Sequence, residues 1–157
     1  MYKIFYNCSK LQNINFGSLN TEFVTDLGYA FYNCDSLETL DLSSFNTKSL
    51  KNIDYLFNNS SINTLILDGW DFSSVISNSS WVYGLTAKNV SLKNVKAKGD
   101  FQCPHAHESI DLTGIDTTAC TSFKLSGCNV PTIDLSSLDT SNFTSMSNMF
   151  EGCASLV

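Results

Sequence analysis

The chain repeats itself at a fixed interval, and that interval dictates what it can fold into. Phe5, Phe31 and Phe57 follow one another every 26 residues, Cys8 and Cys34 are also 26 apart, and Cys128 and Cys153 are 25 apart. A period of roughly 20 to 30 residues means one supersecondary unit stacked many times, because a single unit cannot bury its apolar face without a neighbour. The fold class this predicts is an α/β repeat solenoid of the leucine-rich-repeat type. A parallel β-sheet forms one face and short helical or 3-10 turns form the other.

One coil shows the template. Leu40, Leu42 and Phe45 have the spacing of a short strand whose inward side chains alternate with Asp41 and Ser43. Asn46 and Thr47 offer a turn and a helix cap. Leu50, Ile53, Leu56 and Phe57 then recur at three- and four-residue steps, the apolar stripe of a short helix. Strand anchors repeat at Ile14/Phe16, Leu40/Leu42, Leu65/Leu67, Val90/Leu92, Ile110/Leu112 and Ile133/Leu135, with spacings of 26, 25, 25, 20 and 23. Residues 1–157 therefore read as a single solenoid domain of about six repeats with an irregular middle over 87–108. Met1 and Met146, Phe5 and Phe150, and Cys8 and Cys153 occupy matching phases, so a segment of a longer array is expected.

The strings FYNCDSLETLDLSSFNT (31–47), IDLSSLDTSNFTSMSNMF (133–150) and MSNMFEGCASL (146–156) carry a resemblance. They resemble the BspA-like leucine-rich-repeat surface proteins, closest to the roughly 25-residue surface-protein repeat of mycoplasmas and gut bacteria. The resemblance covers Met1 to about Asp68 and Ile110 to Val157. It implies a solenoid displayed on a cell surface, linked to adhesion or host interaction, and it supplies no catalytic residue.

Composition narrows the partners. A net charge of −6 with only nine basic residues argues against nucleic acid, whose phosphates require clustered Lys and Arg. No apolar run approaches the ~20 residues of a membrane span, and Met1–Phe5 enters the repeat at once without the pattern of a signal peptide. Abundant Ser, Thr and Asn with 15% charged residues give a neutral polar surface suited to protein or sugar contacts. The expected function is that of a non-catalytic binding module, extracellular or on the cell surface, whose partner is a protein or glycan on another cell or matrix. The alternative is a structural spacer or a fibre element that stacks end to end. A carbohydrate-active enzyme on a parallel β-helix is the remote third reading. No cofactor is expected.

Three groups of residues carry the remaining chemistry. Cys103, His105 and His107 are the only metal-ligand types at close spacing, but C-x-H-x-H fits no common zinc arrangement, and an irregular solvated loop is expected there. The six cysteines fall at or near core positions of the template, so buried thiols are expected, with a Cys8–Cys34 or Cys128–Cys153 disulfide as the alternative. Asn15, Asp41, Ile66, Ser91, Asp111 and Asp134 should stack outward in one row. Carboxylates in such a row can bind calcium or act as an acid/base pair, yet only Asp111 and Asp134 are neighbours. Trp70 aligns with Phe45 as core and Trp81 with Leu56, so no aromatic platform is expected. The candidate contact surface comprises Asp41, Asp111, Asp134, Trp81, His105 and His107, centred on the degenerate middle.

Overall fold

In a computed structural model describing residues 1–157, the backbone winds as a parallel β-solenoid of about four turns. Its strands are β1 (Leu37–Asp41), β2 (Ser61–Ile66), β3 (Thr86–Ser91), β4 (Lys96–Gln102), β5 (Ala106–Asp111) and β6 (Asp116–Lys124). β1, β2, β3 and β5 lie side by side in one sheet, while β4 pairs with β6 in a second. Both sheets are parallel.

Leu40, Leu65, Val90 and Ile110 pair rung by rung, as the anchor spacing requires. One position on, Asp41, Ile66, Ser91 and Asp111 form the expected outward rung. The outer anchors form no strand: the first coil reaches the sheet only through a bridge between Asn13 and Thr39, and Ile133 and Leu135 lie in coil. Inward, Phe45, Trp70, Val95 and Ile115 each close a tight turn onto the leucine three residues before. All four are buried, and the Trp70 indole donates to the Leu42 carbonyl at 2.9 Å.

The short helical turns expected opposite the sheet do not form: the chain contains no helix. Residues 27–34 and 53–60 instead run as strings of turns. Tyr29, Asn33, Tyr55 and Asn59 all take positive φ, between 53° and 56°. Alternate amides (Leu27, Tyr29, Phe31, Asn33) donate to carbonyls of the next coil, and those between (Ala30, Tyr32) close turns within their own. A helix would send every amide back four residues along its own coil and leave the neighbouring coils unjoined. Apolar residues keep the helical spacing because short turns return them to the core with the same step. Leu50, Ile53, Leu56 and Phe57 are all buried.

The middle is more regular than its sequence suggests. Most of 87–108 is strand, with β3, β4 and the start of β5 inside it. Around Cys103–Glu108 the expected solvated loop is a short buried crossing: Cys103 and Pro104 are buried, and His107 and Glu108 sit on β5. This coil drops to 20 residues because β4 pairs directly with β6, replacing the turn string of its neighbours.

The repeated cysteine position has a defined role. The Cys34 thiol donates to the Phe5 carbonyl of the preceding coil at 3.2 Å, and the Cys153 thiol donates to Leu125 at the same distance. Ser60 stands at this position in its coil. Its hydroxyl donates to the Phe31 carbonyl while accepting the Cys34 amide at 3.0 Å. All six cysteines are free thiols; Cys8 and Cys153 are half-buried and the other four are buried.

Candidate functional site: a notch in the solenoid wall

The turn strings stack into a face, and its repeat places like residues in rows. Lys3, Tyr29, Tyr55 and Ser80 form one row, and Tyr6, Tyr32, Asn58 and Tyr83 form the next, as the coil-to-coil hydrogen bonds fix. Tyr29 and Tyr55 stack at 4.8 Å and Tyr6 and Tyr32 at 5.1 Å, while Tyr2 meets Tyr29 edge-on at 5.9 Å. The Lys3 ammonium lies 4.8 Å from the Tyr6 ring centre and 5.2 Å from those of Tyr2 and Tyr29. Five tyrosines thus make an aromatic platform that no spacing argument on tryptophan anticipated. The signal was present: Tyr6 and Tyr32, and Tyr29 and Tyr55, are each 26 apart, one repeat.

Tyr29 and Tyr55 hold positive φ, a conformation that costs a bulky residue and that Asn or Gly adopts more readily. Lys3 and Ser80 hold positive φ in the same row, so the conformation belongs to the repeat, and what distinguishes the two middle coils is the ring they carry there.

Where the 20-residue coil lacks a turn string, this face steps down and leaves a notch of about 430 Å³. Asn78, Ser80, Trp81, Val82 and Tyr83 of the taller coil make one wall. Asp100 and Gln102 at the end of β4, His105 in the crossing and Ser126 beyond β6 make the other. Tyr83 is 69% exposed over the opening, whereas Trp81 is only 3% exposed and packs against Phe57, Phe72 and Phe101. The Gln102 amide donates to Ser126 at 3.2 Å, leaving its carbonyl oxygen free. Asp100 accepts from Lys124 at 2.6 Å and from Ser122, bonds that hold its carboxyl below its ordinary range. Burial, aided by the neighbouring His107, lowers the His105 pKa, so its imidazole is neutral at pH 7. No lysine lines the notch.

A family model described as Mycoplasma protein of unknown function, DUF285, matches residues 1–95 and 111–157. The chain belongs to this family. No curated protein and no solved structure matches it. The two matched segments of this DUF285 chain flank residues 96–110, and Asp100, Gln102 and His105 fall in that interval. Three of the four residues that make one wall of the notch therefore come from the stretch between the matched segments, and the fourth, Ser126, from the second segment.

The remaining candidates separate. Trp81 and His105 meet in the notch, Trp81 as wall and not as platform. His107 projects from β5, exposed, and Cys103 is fully buried, its thiol raised well above the ordinary range by burial and by Cys128 and Cys120. Nowhere do three His, Cys, Asp or Glu side chains come together to hold a metal ion, so the Cys103, His105 and His107 set does not converge. Asp41, Asp111 and Asp134 lie at the corner after the first sheet. Each accepts the amide two residues on (Ser43, Thr113, Ser136) at 2.8 to 3.0 Å. These bonds hold the Asp111 and Asp134 carboxyls below their ordinary range, with the amides of Thr113 and Ser136 as the first cause. The outward carboxylates thus close turns. Asp111 and Asp134 share a shallow polar hollow of about 300 Å³, and Asp41 borders another of about 290 Å³ with Asn15 and Ser43. No helix is long and apolar enough to cross a membrane.

Proposed function

We propose that this chain is a non-catalytic binding module of a BspA-like, leucine-rich-repeat surface protein, extracellular or displayed on a cell, and that it mediates adhesion through its turn face. The observation that carries the reading is the tyrosine platform on the turn face: five partly exposed rings packed on one another across three coils, one coil away from the notch wall at Ser80. Aromatic rings with polar tips are the side chains most enriched in contact surfaces. The test uses the fluorescent chain and cultured epithelial cells, read by flow cytometry. Because Asn adopts positive φ readily, Tyr29→Asn with Tyr55→Asn keeps the fold and removes two rings. Binding that falls at least tenfold in this double variant supports the reading. Undiminished binding, with the fold intact by circular dichroism, refutes the assignment to this face.

A second reading, end-to-end stacking, is favoured by the end coils. Phe31 and Phe57 are buried in the interior, but Phe5 is half-buried and Phe150 is 39% exposed at the same phase. An apolar end surface of this kind suits a further coil, contributed by a second copy or by a longer array.

A further inference from the structure

The geometry points to a neutral saccharide as the ligand of the notch, and we propose that the notch is a pyranose-binding subsite with Tyr83 as its stacking ring. The proposal rests on the binding-module reading and deepens it.

Three features of the notch select this class. Its volume of about 430 Å³ lies within the about 300–1,000 Å³ of small-molecule sites, too small for a folded partner and ample for one or two sugar rings. Its polar groups come in both senses. Asn78 has an amide that donates and accepts, Ser80 and Ser126 have hydroxyls, Gln102 has a free carbonyl oxygen, and Asp100 accepts only. Neutral His105 offers one donor and one acceptor nitrogen. Sugar hydroxyls need this mixture because each both donates and accepts. Beside the mixture stands one exposed apolar ring face, Tyr83, which matches the C–H face of a pyranose.

Competing ligand classes fit less well. A phosphate or sulfate group would need an unpaired cation, yet no lysine lines the notch, and nearby Lys124 already holds Asp100 at 2.6 Å. An apolar ligand would desolvate the Asn78 amide and the free Gln102 carbonyl oxygen without replacing their water partners. A cationic ligand would meet Asp100 only after displacing Lys124. On the row that holds Tyr83, buried Asn58 separates it from Tyr32 and Tyr6, so only a linear chain long enough to cross that coil reaches a second ring, and affinity should grow from monosaccharide to trisaccharide.

The test is heteronuclear NMR of the isotope-labelled chain, titrated with galactose, N-acetylglucosamine and their linear trimers at millimolar concentration, with a heparin fragment as the charged control. The expected result is movement of the Asn78 and Gln102 side-chain amide signals with a neutral trimer and none with heparin. Tyr83→Ala should weaken the trimer at least tenfold, about 1.4 kcal/mol, while Tyr83→Phe keeps most of the affinity. Shifts that map away from the notch, a heparin response exceeding the neutral one, or no response to any neutral sugar overturns the proposal. Cell binding measured on the same samples separates the two claims. A tyrosine-dependent cell contact with no sugar response leaves the module reading standing with a protein ligand. Loss of both overturns both.

Discussion

At the scale of single residues, the position shared by Cys34, Ser60 and Cys153 shows how a repeat tolerates exchange. What it requires is a small side chain with one donor aimed at the carbonyl of the coil before. Ser60→Ala strands the Phe31 carbonyl and the Cys34 amide, and should cost about 1–3 kcal/mol in urea unfolding. Ser60→Cys, the choice made elsewhere in the array, should cost less; an equal loss would show that the donor is not what the position selects. The thiols also set the alkaline limit. Burial, the first cause in each case, pushes Cys34 and Cys120 from 9.0 to about 11. Between pH 9 and 11 the unfolded chain therefore binds fewer protons than the folded one, and stability falls as pH rises through that window. Urea midpoints should decline there, and Cys34→Ala with Cys120→Ala should flatten the decline; an unchanged slope would place its origin in other groups, such as the tyrosines.

Among elements, the turn strings explain both the successes and the failures of reading this chain. The rungs Leu40–Leu65–Val90–Ile110 were legible because strand alternation is local and the period carries it from coil to coil. The helix over Leu50–Phe57 was not, since its apolar spacing is equally that of successive turns. Asn33 and Asn59, recurring one repeat apart at positive φ, were the signal against it. The location of the notch was legible from the 20-residue spacing. Its shape was not, because the pairing of β4 with β6 joins residues such as Phe101 and Phe123 that only the neighbouring coil brings together. Two glycines, Gly84 in a turn string and Gly69 in the corner after β2, give a direct comparison. Gly84 and Gly69 both hold positive φ, +68° and +74°, but a side chain at Gly84 would run into the Asn59 amide while Gly69 faces open space. Gly69→Ala should cost about 1–2 kcal/mol from backbone strain alone. Gly84→Ala adds to that strain the displacement of the Asn59 side-chain amide and should cost more in the same denaturation assay; equal costs would mean that the Asn59 side chain turns aside freely.

For the molecule as a whole, each coil is stabilised mainly by its neighbours, so the second reading, end-to-end stacking, is tested at the surfaces of the first and last coils. Ile4 is 46% exposed in the first coil, and Met146 and Phe150 are 56% and 39% exposed in the last, all at phases buried further in. Under the stacking reading, the contact between two copies is head to tail and does not close on itself. That reading expects open-ended growth from the 17.3 kDa chain in light scattering behind size exclusion over a wide concentration range. A charge at one end is enough to block such a contact: Phe150→Asp should return the sample to a single species without touching the notch. Reductant separates the causes, because Cys8 and Cys153 are the half-buried thiols at the two ends. Growth that persists in reductant and vanishes in Phe150→Asp establishes stacking. Growth that reductant reverses belongs to thiol oxidation, and a single 17.3 kDa species at every concentration removes the fibre reading and leaves the turn face as the working surface.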